Sequence, residues 1–239
     1  MSDEIFVVGY PKSGNTWLSR LLGDALDSPV KSGKPQPSLA DNDDGKGKYI
    51  IRQRHHLYNS ISSLPERVVF ILRDPRDLIV SVTHYWGFES VDEYIRKMAN
   101  LDTDKRPNVL IGYERYIKKW KNANKPVKNV VTTYEKLSLL KEKELDRILK
   151  FLKVDAVKPL DEVFERQSFA SMKKRVKGSG STLPYGESIQ SKLLRKGVVG
   201  DWKNHITKEH GRIIHEHLWH CLMSLGYEND EDWWTKLKE

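Results

Sequence analysis

The chain has 239 residues, enough for one sizeable α/β core and short for two domains. Its 38% hydrophobic content, with seven Trp and ten Tyr, excludes a disordered chain, and no apolar run approaches the roughly 20 residues that span a bilayer. The formal charge of +8 suits an anionic ligand, nucleic acid or an anionic membrane surface alike, while the single cysteine, Cys221, excludes an intrachain disulfide and a cysteine-based metal site and fits a reducing compartment.

In chain order, the apolar run at 5–8 predicts a buried strand and the periodic stretch 17–26 a helix. Residues 31–48, rich in Gly, Pro, Lys and Asp, predict a surface loop. Strands are expected at 49–51 and 68–72, then helices at 78–86, 91–98 and 113–121. A strand at 130–133 precedes a helix over 139–152; residues 175–190 read as a second long loop, and 208–225 as the last helix. Continuous apolar strands alternating with helices predict an α/β fold: a doubly wound parallel sheet with helices on both faces, with ligands at the carboxyl ends of the strands.

The first of those ends carries Gly9-Tyr10-Pro11-Lys12-Ser13-Gly14-Asn15-Thr16, the outline of a P-loop-like phosphate loop after the first strand. Backbone N–H groups in such a turn, with the positive end of the following helix, form an anion cradle. The nucleotide-hydrolase pattern ends in Gly-Lys-Ser/Thr. Here the spacing and Thr16 are present, but Asn15 stands at the lysine position and the lysine is inside the loop, as Lys12. That arrangement points to a phosphate-bearing donor other than an ordinary nucleoside triphosphate.

Two further stretches suit phosphate. The strand at 68–72 delivers Arg73 to its end, followed by Asp74-Pro75-Arg76-Asp77 and, about two turns into the helix, Ser81. An Arg fork with a hydroxyl is a phosphate clamp; the competing structural reading pairs Arg73 with Asp74 or Asp77. Later comes Arg195-Lys196-Gly197-Val198-Val199-Gly200-Asp201-Trp202-Lys203-Asn204.

Taken together, these stretches resemble the soluble sulfotransferases that use 3′-phosphoadenosine 5′-phosphosulfate (PAPS), and the resemblance runs from Phe6 to Thr207. It implies a single sulfotransferase domain over 1–239 that transfers a sulfuryl group from PAPS to a hydroxyl or amine by in-line displacement, with PAP as product and no metal. Lys12, Ser13, Gly14, Asn15, Thr16 and Trp17 fall on the 5′-phosphosulfate loop, with Lys12 acting on the leaving group. Arg73, Ser81, Arg195, Lys196 and Gly197 fall on the 3′-phosphate site. Val131-Thr132-Thr133-Tyr134 places Tyr134 near the adenine, although Lys136 and Leu137 depart from the family pattern; Ser168-Phe169 places Phe169 against the purine, and Trp17 supplies a second wall. Members of the family use a His after a basic residue as base. In Arg52-Gln53-Arg54-His55-His56-Leu57, the His-Leu match favours His56, while strand register also permits His55 or puts Arg54 at that place.

The runner-up is a small-molecule kinase or other P-loop nucleotide-dependent enzyme, which Asn15 disfavours. A nucleic-acid-binding module would leave the ordered phosphate motifs without a role. The expected acceptor is a small molecule or glycan, with neither nucleic acid nor membrane as partner. With no apolar leader before the first strand, the expected location is cytoplasmic. The family's C-terminal dimer segment corresponds to 203–212, where Lys208 and Arg212 replace Val and Glu, so a monomer is expected.

Overall fold

The computed structural model describes residues 3–32, 45–55, 67–99, 108–123, 129–178 and 196–239. In chain order the elements begin β1 Glu4–Gly9, α1 Asn15–Ala25, β2 Val30–Lys31, β3 Ile50–Arg54, β4 Val68–Leu72, α2 Pro75–Trp86, α3 Val91–Met98 and α4 Val109–Ala123. They continue with β5 Asn129–Thr133, α5 Tyr134–Leu140, α6 Glu142–Leu152, α7 Leu160–Arg166, α8 Phe169–Gly178 and α9 Lys208–Ser224, with short 3-10 helices at Asp201–Asn204 and Trp233–Lys236. Two compact units result: Met1–Leu72 with Ala123–Gly197, and Arg73–Asn122 with Val198–Glu239.

The first unit holds the sheet, ordered β2-β3-β1-β4-β5 with every pairing parallel. β1 and β4, at the middle of the sheet, are short apolar runs because both their faces are covered: Ile5, Val7, Val69 and Ile71, with Ile51 of β3, are buried on one face, and Phe6, Val8, Val68 and Phe70 on the other. The first face packs on Leu18, Leu21 and Leu22 of α1 and on Leu145, Ile148 and Leu149 of α6. β1 is central, and the register sets Val8 against Arg54 and Gly9 against Ile71, so the ends of β1, β3 and β4 lie level. The strand order turns at β1, with β3 on one side and β4 on the other, which is where ligands of open α/β sheets bind.

β5 closes one side of the sheet. Its middle carbonyl, Val131 O, accepts a 2.8 Å hydrogen bond from Arg147 of α6. Arg147 is held in turn by Glu144, whose buried carboxylate also accepts from Thr132 Oγ1 at 2.6 Å. Burial alone would raise the Glu144 pKa, but the Arg147 and Thr132 hydrogen bonds win and hold it below the ordinary carboxylate range.

The second unit is helical. Pro75 opens α2 behind the N-cap Asp74, whose carboxylate accepts from Arg76 N. Arg76 is buried, pairs with Asp74 and Glu228, and lies over the rings of Trp202 and Trp233 at 4.1 and 4.9 Å. α9 starts in a capping box: Thr207 Oγ1 accepts from His210 N, and His210 Nδ1 accepts from Thr207 N. No helix among the described residues is long and apolar enough to cross a membrane.

The α/β fold with its parallel sheet stands as expected, and the structure corrects several boundaries. The expected helix 139–152 is two helices, broken at Lys141 with φ 41. Lys31 belongs to β2 and residues 175–178 to α8, so both expected loops start later; 33–44 and 179–195 lie outside the described residues. α7, seven residues long, and α8, ten, were not among the expected helices.

Candidate active site

The loop between β1 and α1 begins as a tight turn. Ser13 N donates to Tyr10 O at 3.1 Å, Pro11 follows at the second position, and Lys12 takes a left-handed φ of 73. That is the arrangement of a type II turn, whose third residue is ordinarily glycine. A lysine there carries backbone strain, which the chain keeps at the one cation inside the loop.

Gly14, at φ 101, is the N-cap of α1, and a Cβ on it would stand 2.7 Å from Tyr134 Cδ2. No side chain among the described residues caps α1, and its first turn holds no acid. The first α-helical bond is Leu18 N to Gly14 O, so the N–H groups before Leu18 point out of the helix end. The Ser13 hydroxyl is fully buried, with no hydrogen-bond partner among the described residues. An end with bare donors and a buried hydroxyl fits a phosphate or sulfate oxygen.

Asn15 does not take over the missing lysine's task. Its Nδ2 donates to Gly9 O at 3.1 Å and to Tyr10 O at 3.0 Å, tying the loop to the helix. Those bonds use both amide hydrogens, so the nearby His55 Nδ1, 3.0 Å from Gly9 O and 3.2 Å from Asn15 Nδ2, is itself the protonated nitrogen and donates to Gly9 O. Thr16 Oγ1 lies 3.5 Å from Gln53 Oε1 on β3. His56 lies outside the described residues.

An aromatic group stands beside the loop. Trp17 meets Tyr134 at 5.4 Å between ring centres and Phe164 edge-on at 6.0 Å. Tyr134 is buried as the first residue of α5, behind the Thr133 cap; Trp17 and Phe169 are half-buried. Gly197, with φ 70, comes so close that a Cβ on it would sit 3.2 Å from Phe169 Cδ2 and 3.6 Å from Tyr134 Oη. The structure thus brings Gly14, Trp17, Tyr134, Phe169 and Gly197 together in the first unit. Lys196 is exposed beside Gly197, and Arg195 lies outside the described residues.

Arg73 and Ser81 belong to the second unit, Arg73 buried just before α2 and Ser81 half-buried within it. Tyr113 fixes Arg73 from both sides, its hydroxyl donating to Arg73 O at 2.8 Å and accepting from Arg73 N at 3.3 Å. Asp77 lies 3.9 Å from the Arg73 guanidinium, and its main engagement is elsewhere: it accepts from Gly200 N at 2.8 Å and Trp202 N at 2.9 Å. Asp77 and Tyr113 are supporting residues: the sequence offers Asp77 as a partner of Arg73 but not of the Gly200 and Trp202 amides, and leaves Tyr113 unmarked. The Asp-Pro-Arg-Asp pattern shows a carboxylate without showing what it holds, and Tyr113 reads only as an apolar position of a helix.

A parallel sheet with a glycine-turned loop after its central strand, leading into a helix end, is the P-loop-like arrangement. Residues 2–223 match the family described as the sulfotransferase domain, and the chain belongs to that family. It is a PAPS-dependent sulfotransferase. Rat sulfotransferase 1E1 is 25% identical over 247 residues, covering 90% of this chain and 82% of its own, and human sulfotransferase 2A1 is 26% identical, covering 86% and 79%. Among solved structures, mouse sulfotransferase SULT7A1 complexed with PAP superposes with a TM-score of 0.64 at 21% identity, covering 94% of this chain and 88% of its own. Retinol dehydratase with androsterone and PAP gives 0.61 at 16% identity, covering 92% and 80%.

Proposed function

We propose that this sulfotransferase holds the 5′-phosphosulfate of PAPS in the loop Lys12–Trp17, the adenine against Trp17, Tyr134 and Phe169, and the 3′-phosphate on Arg73, Ser81, Arg195, Lys196 and the Gly197 backbone. One observation carries the reading: α1 presents an uncapped end and a buried Ser13 hydroxyl with no partner among the described residues, and Trp17 in the first turn of α1 packs on Tyr134. The kinase reading loses support because Asn15 commits both amide hydrogens to backbone carbonyls rather than to a phosphate.

PAPS supplies a sulfuryl group with a bisphosphate as its leaving group. Lys12 neutralises charge on the leaving oxygen, and the N–H groups at the start of α1 provide preorganised donors. His56 is the proposed base for the acceptor proton, with His55 as the second candidate; a histidine near neutrality suits that transfer. His55, anchored at Gly9 O through Nδ1, has Nε2 as its accepting nitrogen. Nothing in this scheme calls on a metal. The acceptor is a small-molecule or glycan hydroxyl or amine, the chain acts as one sulfotransferase domain, and it works as a cytoplasmic monomer.

Calorimetry with PAP and with its analogue lacking the 3′-phosphate tests the donor site. Arg73→Ala should cost about 2–4 kcal/mol of PAP binding, because a charged hydrogen bond is lost. Equal affinity for the two ligands would overturn the assignment. His56→Ala should abolish most turnover of labelled PAPS with PAP binding intact; loss in His55→Ala alone would move the base by one residue, and activity in both would remove it from this pair.

A further inference from the structure

Trp17 does not hold its own orientation. Its indole Nε1 donates to Gln167 O at 3.0 Å, and Gln167 is the residue that ends α7, donating its own N–H to Val163 O at 2.9 Å. The next residue, Ser168, caps the start of α8 by accepting from Ser171 N at 3.2 Å, and Phe169 is the first residue of α8. One turn, Gln167-Ser168, therefore carries both aromatic walls: Trp17 hangs on its carbonyl, and Phe169 follows it directly.

That turn is anchored from α1. Asp24 lies two helical turns beyond Trp17, and its carboxylate is 5% exposed by residue. Its Oδ2 accepts from Gln167 Nε2 at 2.9 Å and lies 3.2 Å from Arg166 Nε; its Oδ1 accepts from Lys158 Nζ at 3.1 Å. Lys158 also reaches Asp27 at 3.0 Å, and although desolvation opposes it, the bonds to Asp27 and Asp24 raise the lysine pKa above its ordinary value. A buried carboxylate persists only with such partners. All of them come from the segment 158–167 that delivers the Gln167 carbonyl.

We infer that Asp24 and Gln167 are positioning residues for adenine recognition: the Asp24 carboxylate holds the Gln167 amide, which sets the carbonyl that orients Trp17. The inference rests on the placement of Trp17 against adenine proposed above. A purely structural pair would affect stability and bind every donor analogue alike. A positioning pair affects only ligands that carry the base.

Two ligands separate these cases in calorimetry on the full chain: adenosine 3′,5′-bisphosphate and ribose 3,5-bisphosphate, which lacks the base. Gln167→Glu sets two carboxylates against each other and should weaken the adenine nucleotide roughly tenfold, the scale of one base–aromatic stack, while leaving the base-free ligand within about twofold. Asp24→Asn with Gln167→Glu exchanges donor and acceptor and should recover most of the loss. If the single variant does not fold, Gln167→Met should show the same selectivity at about threefold. Equal weakening of both ligands, or of neither, overturns the inference. Trp17→Leu distinguishes the layers: if it binds both ligands as the wild type does, the adenine placement itself falls. If it loses only the adenine nucleotide while Gln167→Glu does not, the positioning role alone falls.

Discussion

Lys12 combines a demanding backbone with a demanding side chain, and the two can be separated by substitution. At φ 73 an L residue sits in the left-handed region, which costs about 1–2 kcal/mol relative to glycine. Glycine's greater freedom in the unfolded chain takes back about 0.4–1 kcal/mol. Lys12→Gly and Lys12→Ala both remove the side chain and its contacts, so their difference isolates the backbone. Lys12→Gly should be the more stable of the two by about 0.5–1 kcal/mol, which for a chain of this size raises Tm by roughly 1–4 °C. Turnover should fall in both by about 10²–10³-fold, the scale of losing one group that stabilises developing negative charge, with PAP binding changed far less. Differential scanning calorimetry and labelled-PAPS turnover on the two proteins supply the measurements. A glycine variant that melts at or below the alanine variant would refute the strain argument, and one that turns over near the wild-type rate would refute the role of the ammonium.

Asp77→Ala should destabilise by about 2–4 kcal/mol, since it orphans the N–H groups of Gly200 and Trp202; a Tm within about 1 °C of wild type would count against that accounting. His210 is buried, which lowers its pKa below the ordinary value, and its Nδ1 already accepts from Thr207 N while Nε2 faces Asp92, with Glu209 and Arg96 nearby. The folded state then binds fewer protons than the unfolded one just below the ordinary histidine pKa of about 6.5, so stability is present above that pH and is lost as pH falls. His210→Gln should flatten the fall in urea midpoint between neutral and mildly acid buffer, and an unchanged slope would show that other groups carry it. Light scattering at micromolar concentration is expected to report a monomer; a dimer abolished by changing Thr207 or Arg212 would show that the family's C-terminal contact survives its replacements here.

The geometry of the loop at 9–16 was legible because its requirements are local: a turn, a glycine and a helix end are each specified by adjacent residues. β1, β4 and β5 were legible to within about one residue at each end, β3 only in its first two residues, and β2 not at all. What escaped was set by partners distant in sequence. Gln53 is buried on β3 where an apolar residue would read as core, and Asp77 serves amides more than 120 positions later. The break at Lys141 was hidden because residues 139–152 keep helical spacing across it; only the left-handed backbone of one lysine divides them. His55 shows the limit most plainly. Two adjacent histidines after a strand are visible in the sequence, but that one of them donates to Gly9 O follows only from the level ends of β1 and β3.

Arg147 has a consequence for the protein's behaviour in a crowded solution. An open parallel sheet exposes main-chain donors and acceptors along its borders, and such borders recruit strands from other molecules. Here β2, two residues long, is too short to template another chain. On the other border the Arg147 guanidinium occupies the central carbonyl of β5, and the buried Glu144 keeps it there. The same carboxylate that satisfies Thr132 inside the unit therefore also guards its rim against intermolecular pairing. Loss of Glu144 would be felt first as sticking between copies, before any change in the chemistry of the phosphate loop.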